Sequence, residues 1–471
     1  MRNWHLLALV LPFSTACADK ATEDTDTAST DSDADTDTDA DTDADTDTDT
    51  DTDTDTDTTS GIPAAECVDE GGACLLAGTY TASMKLTADK PWLLRSGVII
   101  GDDSAETILE IEPGTQIYGE SATNGFLVIT RGSQIWAEGT ASAPIVMQPD
   151  LAPGSRARGS WGGLVLNGRA PINACVEATA DCEAEGEGGT GLYGGSDASD
   201  NSGVLKYVVI AFGGTEISPD NEINGLTLAG VGMGTTVDYV QVHMNLDDGI
   251  EFFGGSVNAK HLVVTGAGDD NFDYTNGYNG KVQFAVAQQF EDAGNNGFEA
   301  DNNEEDYTAQ PQTRPIFSNV TMVGSESIKA SNYGAVLRRG SAQELHNVAM
   351  TGFSAACLAV RDDDTYGHFT SGESALAHWR IACDESFESG DTDIMTEDEV
   401  FAAGADNVEV TDIKLVAGFN PTAPDFRPAT GSPLTSGGVT PSDSFFDSVI
   451  YIGAFDSSND WTAGWTIHDL N

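Results

Sequence analysis

A short apolar segment returns along this chain at a nearly constant interval, and that return limits what the chain can fold into more than any other feature. Tyr207-Val-Val-Ile-Ala211, Tyr239-Val-Gln-Val-His243, His261-Leu-Val-Val-Thr265, Gln283-Phe-Ala-Val-Ala287, Asn319-Val-Thr-Met-Val323 and Asn347-Val-Ala-Met-Thr351 align on Val208, Val240, Leu262, Phe284, Val320 and Val348. The intervals are 32, 22, 22, 36 and 28, a base period of 22 with loop insertions. A second series interleaves with the first: Gly225-Leu-Thr-Leu-Ala229, Gly249-Ile-Glu-Phe-Phe253, Asn271-Phe-Asp-Tyr-Thr275, Gly297-Phe-Glu-Ala-Asp301 and Gly334-Ala-Val-Leu-Arg338. Each repeat therefore holds at least two strands separated by Gly-rich corners. A unit of this length matches one three-strand turn of a parallel β-helix, whose coils stack about 4.8 Å apart and bury like residues on like. A propeller blade needs roughly 40 residues and four strands, which the interval does not supply.

The expected fold is all-β: a single-stranded, right-handed parallel β-helix with a C-terminal cap. Residues 1–16 read as an export signal, 17–61 as an acidic tether, 62–100 as an N-terminal cap region, 101–380 as the β-helix and 381–471 as the C-terminal capping region. A capping box at Thr396 and Glu399 marks a helix in that last part.

At the N-terminus, Arg2 precedes the apolar run Leu6 to Phe13, and Ser14-Thr15-Ala16 leads into Cys17. This is the pattern of a signal peptide, too short to span a bilayer. Cysteine arithmetic points to acylation of Cys17. Seven cysteines less one leave six, and two pairs share a Cys-x6-Cys spacing, so the expected disulfides are Cys67–Cys74, Cys175–Cys182 and Cys357–Cys383. A secreted soluble protein with one free thiol is the competing reading. The expected location is the outer membrane, lipid-anchored, facing the extracellular space or the periplasm.

Between Glu23 and Asp57 stand 17 acids and no Lys or Arg, in near-perfect Asp/Thr alternation. With no apolar face to bury and carboxylates that repel, this segment is expected to stay extended. At ~3.3 Å per residue it reaches on the order of 100 Å. A low-affinity Ca2+ sponge or a glycosylated Thr stalk are alternative uses of it. The whole chain carries a formal net charge of -57, so nucleic acid and anionic lipid headgroups are excluded as partners for want of a basic surface. A monomer is expected.

The chain resembles a family of exported bacterial right-handed β-helix proteins, pectate-lyase-like in fold and largely uncharacterised in activity. The resemblance is carried by Pro113-Gly-Thr-Gln-Ile117, Ala137-Glu-Gly-Thr140 before Pro144-Ile145, Trp161-Gly-Gly-Leu-Val-Leu-Asn167, Asn224-Gly-Leu-Thr-Leu228, Asp247-Asp-Gly-Ile-Glu-Phe-Phe-Gly-Gly255 and Asp269-Asp-Asn-Phe-Asp-Tyr274. Asp425-Phe-Arg-Pro428, Gly431-Ser-Pro433, Tyr451-Ile-Gly-Ala-Phe455 and Trp461-Thr-Ala-Gly-Trp465 are similar to its closing segment. It implies an architecture and leaves the chemistry to the residues.

Strand alternation concentrates that chemistry in the second series. Ile250, Phe252, Phe272, Tyr274, Phe298, Ala335 and Leu337 are expected to point inward, which puts Glu251, Asp273 and Glu299 outside on three consecutive coils. Asp301 stands beside them and Arg338 on the next coil. Asp247-Asp248, Asp269-Asp270 and Asn295-Asn296 precede the strands. Stacked carboxylates need a cation, a proton or an Arg, and oxygen ligands at this density suit Ca2+. The metal candidates are Asp247, Asp248, Glu251, Asp269, Asp270, Asp273, Glu299 and Asp301. The bland alternative is a solvated acidic face with turn-forming Asp and Asn at the corners.

Two kinds of function use such a ledge. One is a structural, adhesive or binding module for an extracellular polysaccharide or a surface protein. The other is a polysaccharide-active enzyme, with catalytic candidates Glu251, Asp273, Glu299, Asp301 and Arg338. A glycoside hydrolase would use two of the carboxyls. A uronate lyase would hold its substrate through Ca2+ and take a proton with a base such as Arg338, as the resemblance implies. Tyr274, Tyr278 and Phe253 are either sugar platforms or packing. Setting aside His5 in the signal, the six remaining histidines lack metal-ligand spacing, no Gly-x-Ser-x-Gly elbow occurs, and Gly186 to Gly195 reads as a flexible loop insertion.

Overall fold

Each period of the sequence folds as one coil of three parallel strands, because alternate apolar residues can all face a common interior only if the chain turns a corner every few residues. The computed structural model describes residues 61–175, 181–218, 221–326, 331–388 and 394–471. The signal, Cys17 and the tether lie outside the described residues. The chain divides between Thr58 and Thr59, and the second unit is the solenoid.

The first series supplies two sheets at once. Strands Thr236–His243, Asn258–Thr265, Lys281–Gln288, Ile316–Val323 and Glu344–Thr351 pair in parallel along their length. Each bends at a residue of left-handed φ: Tyr239 (55°), His261 (51°), Phe284 (62°), Asn319 (59°) and Asn347 (55°). Residues before the bend belong to one sheet and those after it to a second. Strands Leu226–Ala229, Ile250–Phe253, Phe272–Thr275, Phe298–Ala300 and Tyr333–Leu337 form the third.

The register corrects one expected alignment. Leu262 pairs with Ala285, and Ala285 with Val320, so Phe284 is not the inward residue of its coil. Phe284 sits at the bend, stacked on His261 at 5.0 Å, and continues a column in which Tyr207 stacks on Tyr239 at 4.4 Å and Tyr239 on His261 at 4.1 Å. A left-handed backbone at a non-glycine residue costs about 1–2 kcal/mol, and ring stacking at coil spacing offsets part of it.

Two expected boundaries also move. Ala73–Tyr80 and Trp92–Ile100, assigned to an N-terminal cap, already pair in parallel with each other and with later coils. At the other end the helix Glu397–Ala403 forms as its capping box requires, and Phe401 packs on Trp379 and Phe387 over the last coil. Beyond about residue 410 the chain does not cap that end. It returns along the outside of the second sheet, where Phe426, Phe455 and Trp465 bury Val209, Val263, Val286 and Val323. The outer face of that sheet is therefore buried as well, its valines under the returning rings and its Gln241, His243 and Gln288 bonded to the returning backbone. A further short helix, Asp363–Ser371, was not expected; Asp362 caps it by accepting the Thr365 N–H at 2.9 Å.

The three disulfides pair as the spacing indicated: Cys67–Cys74, Cys175–Cys182 and Cys357–Cys383. Among the described residues no helix is long and apolar enough to cross a membrane.

Candidate metal centre

Parallel stacking without a register shift turns a sequence repeat into a column of identical positions. Glu251 pairs with Asp273, and Asp273 with Glu299. The column ends at Thr227 on one side and Val336 on the other. Ile250, Phe252, Phe272, Tyr274, Phe298, Ala335 and Leu337 all point inward and are fully buried. Tyr274 and Tyr278 lie in that core, out of reach of a sugar. Phe253 packs against Tyr193 at 6.1 Å.

A second acidic column runs beside the first through the turns. Asp248 Oδ1 accepts the Asp270 N–H at 2.9 Å, and Asp270 Oδ1 accepts the Asn296 N–H at 2.5 Å. Each Asp thus ties its turn to the next coil with one oxygen and leaves the other for the cluster. Carboxylate oxygens gather in three overlapping groups, Asp247/Asp248/Asp269, Asp248/Glu251/Asp273 and Asp270/Asp273/Glu299, each within 4.8 Å. Two oxygens on opposite sides of an ion bound at 2.3–2.6 Å stand about that far apart.

The ledge is not a solvated face. Asp248 and Glu251 are each 7% exposed, Asp270 3% and Asp301 5%. The stretch Gly186 to Gly195, read as a flexible loop, instead supplies the turn and second strand of the hairpin Cys182–Glu185/Leu192–Gly195, which with Asn221–Glu222 brings Glu187 and Glu222 against the acids. Burial, then the charges of neighbouring carboxylates, pushes Asp248, Glu251, Asp270 and Asp273 well above the usual carboxylate range. Asp247 and Glu187 are pushed up to about 7 by the same causes.

Three oxygens in this cluster have no hydrogen-bond donor. Asp273 Oδ1 is one. The others are side-chain carbonyls of Asn224 and Asn296, which hold the same turn position as Asp248 and Asp270. Asn224, fully buried, donates its amide N–H to Glu251, and Asn296, 4% exposed, donates to Glu299 at 3.1 Å. The Oδ1 of each is buried and unpaired. An unpaired buried carbonyl costs roughly 1–3 kcal/mol, a cost a hard cation would remove. The donor set is oxygen throughout, mixing carboxylate and amide carbonyl, as Ca2+ sites do.

The far end of the column is neutralised by protein. Arg338 is bound to Glu299 and, at 2.8 Å, to Asp301; Arg339 reaches Asp301 at 2.7 Å and Glu304 at 3.3 Å. Burial alone would lower the Arg338 pKa, but the hydrogen bond and charge of Asp301, with Glu299, outweigh it and raise it.

The family described as the pectate-lyase-like beta helix domain matches residues 78–420, and the chain belongs to it. Among solved structures, that of pectate lyase Pel9A is similar at 14% identity, covering 84% of this chain and 86% of that one with a TM-score of 0.40. No curated protein matches.

Proposed function

We propose that this protein is an outer-membrane lipoprotein whose β-helix binds Ca2+ on the acidic ledge and acts as a surface module for polysaccharide or protein ligands. The observation that supports the ion is the pairing of three carboxylate groups, each within 4.8 Å, with buried Asn oxygens that lack donors. Export and anchoring rest on the signal pattern and Cys17. A Cys17→Ser protein should move from the membrane to the soluble fraction; unchanged membrane association would reject the anchor.

An enzyme is the second reading. It is favoured by Asp247, whose carboxyl is pushed up to about 7 by burial and then by the charges of Asp269, Glu187 and Glu222, the direction a general acid needs. Glycoside hydrolysis suits such a carboxyl better than a lyase suits Arg338, because a guanidinium clamped by two carboxylates does not give up its proton.

Scanning calorimetry of unfolding with calcium and with chelator tests the ion. Calcium at a hundred times its Kd should add about 2.7 kcal/mol to stability by mass action. Asp273→Asn should abolish most of that increment and Asp49→Asn, in the tether, should not. Equal responses in the two variants, or none in the parent, would remove the site.

A further inference from the structure

We infer that a second ligand site, separate from the ledge and its ion, takes a small primary amine bearing one aromatic ring. Met244, Gln289 and Gly324 directly follow the strands Thr236–His243, Lys281–Gln288 and Ile316–Val323, and at that corner the returning segment leaves a cavity of about 350 Å³. This is the small end of the range for ligand pockets. Its apolar wall comes from both sides, Met244 and Phe290 from the coils and Phe419, Pro421 and Leu470 from the returning segment. Bare backbone lets the rings close in. A Cβ at Gly266 would strike the Phe290 ring, and one at Gly352 would stand 2.8 Å from that of Phe419. Phe419 is nevertheless 46% exposed, an aromatic ring held in place with one side uncovered.

The polar part of the same cavity is acidic. Glu291, Asp292 and Glu326 line it, and among the described residues no Lys or Arg does. Arg158 reaches Asp292 from outside with two hydrogen bonds, at 2.7 and 3.1 Å, and neutralises that one acid. Two carboxylates are left beside an apolar wall. Gln289, which also lines the cavity, gives an independent mark of a ligand. It is 2% exposed, its amide N–H donates to the Asn296 carbonyl at 2.8 Å, and its Oε1 is buried without a donor. An ammonium group carries three N–H donors, matching Glu291, Glu326 and the Gln289 carbonyl in number and the two acids in charge. The wall sets the rest of the ligand: phenyl rings and a thioether favour an aromatic partner, and a phenyl face attracts the cation as well. Size argues against a polypeptide, because a stable protein interface buries about 800 Å² on each partner and this cavity holds one side chain.

Titration calorimetry on the full chain tests this with phenethylamine, its uncharged counterpart 2-phenylethanol, and butylamine, which has the charge without the ring. Phenethylamine should bind one to one, in calcium and in chelator alike, and about tenfold or more tighter than either of the others. Glu291→Gln with Glu326→Gln should weaken it about tenfold. Phe419→Ala, chosen because that ring is half exposed, should weaken it about threefold or more. Asp273→Asn, in the ledge, should leave it unchanged. No phenethylamine binding, 2-phenylethanol binding as tightly, or unchanged affinity in the Glu291/Glu326 variant overturns the inference. Butylamine binding as tightly would show only the attraction of an acidic chain for any cation, and overturns it too. Loss of phenethylamine binding in Asp273→Asn places the amine at the ledge and overturns the separate site. An acetylated, amidated Lys-Phe-Lys peptide that binds more tightly than phenethylamine overturns the assignment to a free amine.

Discussion

The two outer faces of one set of coils solve the same problem in opposite ways. Strands Asn258–Thr265 and Lys281–Gln288 turn polar groups outward towards a segment that comes from the end of the chain. Gln241 exchanges two hydrogen bonds with Ile467, both 2.8 Å, and Gln283 does the same with Asp447 at 2.9 and 2.8 Å. Asn347 holds Val439 likewise, at 3.0 and 2.9 Å. Lys260 and Lys281 pair with Asp447 and Asp443 at 2.7 Å. On the third sheet, strands Ile250–Phe253 and Phe272–Thr275 turn outward acids that receive one guanidinium end and two amides, with oxygens left over. Buried polar groups elsewhere in proteins are paired almost without exception. The strapped face leaves Gln288 Oε1 and His468 Nδ1 unpaired, but the acidic face leaves Asp273 Oδ1, Asn224 Oδ1 and Asn296 Oδ1 unpaired beside crowded like charges, and that combination marks where a ligand is needed.

The largest effect should come from the strapped face. Trp465 is 2% exposed and stands edge-on to Tyr207 and Tyr239, so Trp465→Ala should cost about 3–5 kcal/mol in denaturant unfolding. A loss well under 1 kcal/mol, a rough threshold below any buried Trp, would mean that the returning segment is only draped on the solenoid.

Acid and base should then separate the faces. His243 is fully buried, its Nε2 donating to the Asp469 carbonyl at 2.7 Å, and burial pushes its pKa down to about 4. The unfolded chain takes up that proton first, so this contribution is lost as pH falls from about 6.5 to about 4. Asp247 runs the other way. Its folded pKa of about 7 lies above the unfolded value, so in chelator its contribution is present at low pH and lost as pH rises through 7. Both act between about pH 4 and about pH 7 but with opposite slope: His243→Gln should remove a limb that rises with pH, and Asp247→Asn a limb that falls with it. A profile in which neither variant changes its own limb would contradict the contrast.

Smaller still, Gln283→Ala should cost about 1–3 kcal/mol by leaving Asp447 backbone groups unpaired. The matching change beneath the ledge should cost nothing. Tyr274 Oη is buried without a partner, so Tyr274→Phe should be neutral or slightly stabilising, by under about 1 kcal/mol. Clear destabilisation would show that the hydroxyl has a partner after all.

Much of this was legible because a solenoid repeats its instructions. The interior of the third sheet and the stacking of Glu251, Asp273 and Glu299 follow from alternation at a fixed interval. Phe284 was misplaced because an aromatic in a strand looks like an inward residue, and its corner role needs the ring column that only stacking reveals. The returning segment was invisible for a different reason: Gln241, Gln283 and Asn347 look like ordinary surface amides until a distant stretch lies across them. Glu187 and Glu222 were missed similarly, because insertions of irregular length carry them to the ledge from outside the repeat; Asn224 lies within the repeat, at the position of Asp248, and was missed because it carries no charge.

The central claim is that the acidic face is completed by calcium where the strapped face is completed by the chain. Anomalous scattering from calcium-soaked crystals tests it most directly. The account predicts a difference peak among Asp248, Glu251 and Asp273, with Asn224 Oδ1 turned towards it, that disappears in Asp273→Asn. An ordered ledge with no peak at saturating calcium, its carboxyls hydrogen-bonded to one another, would contradict it.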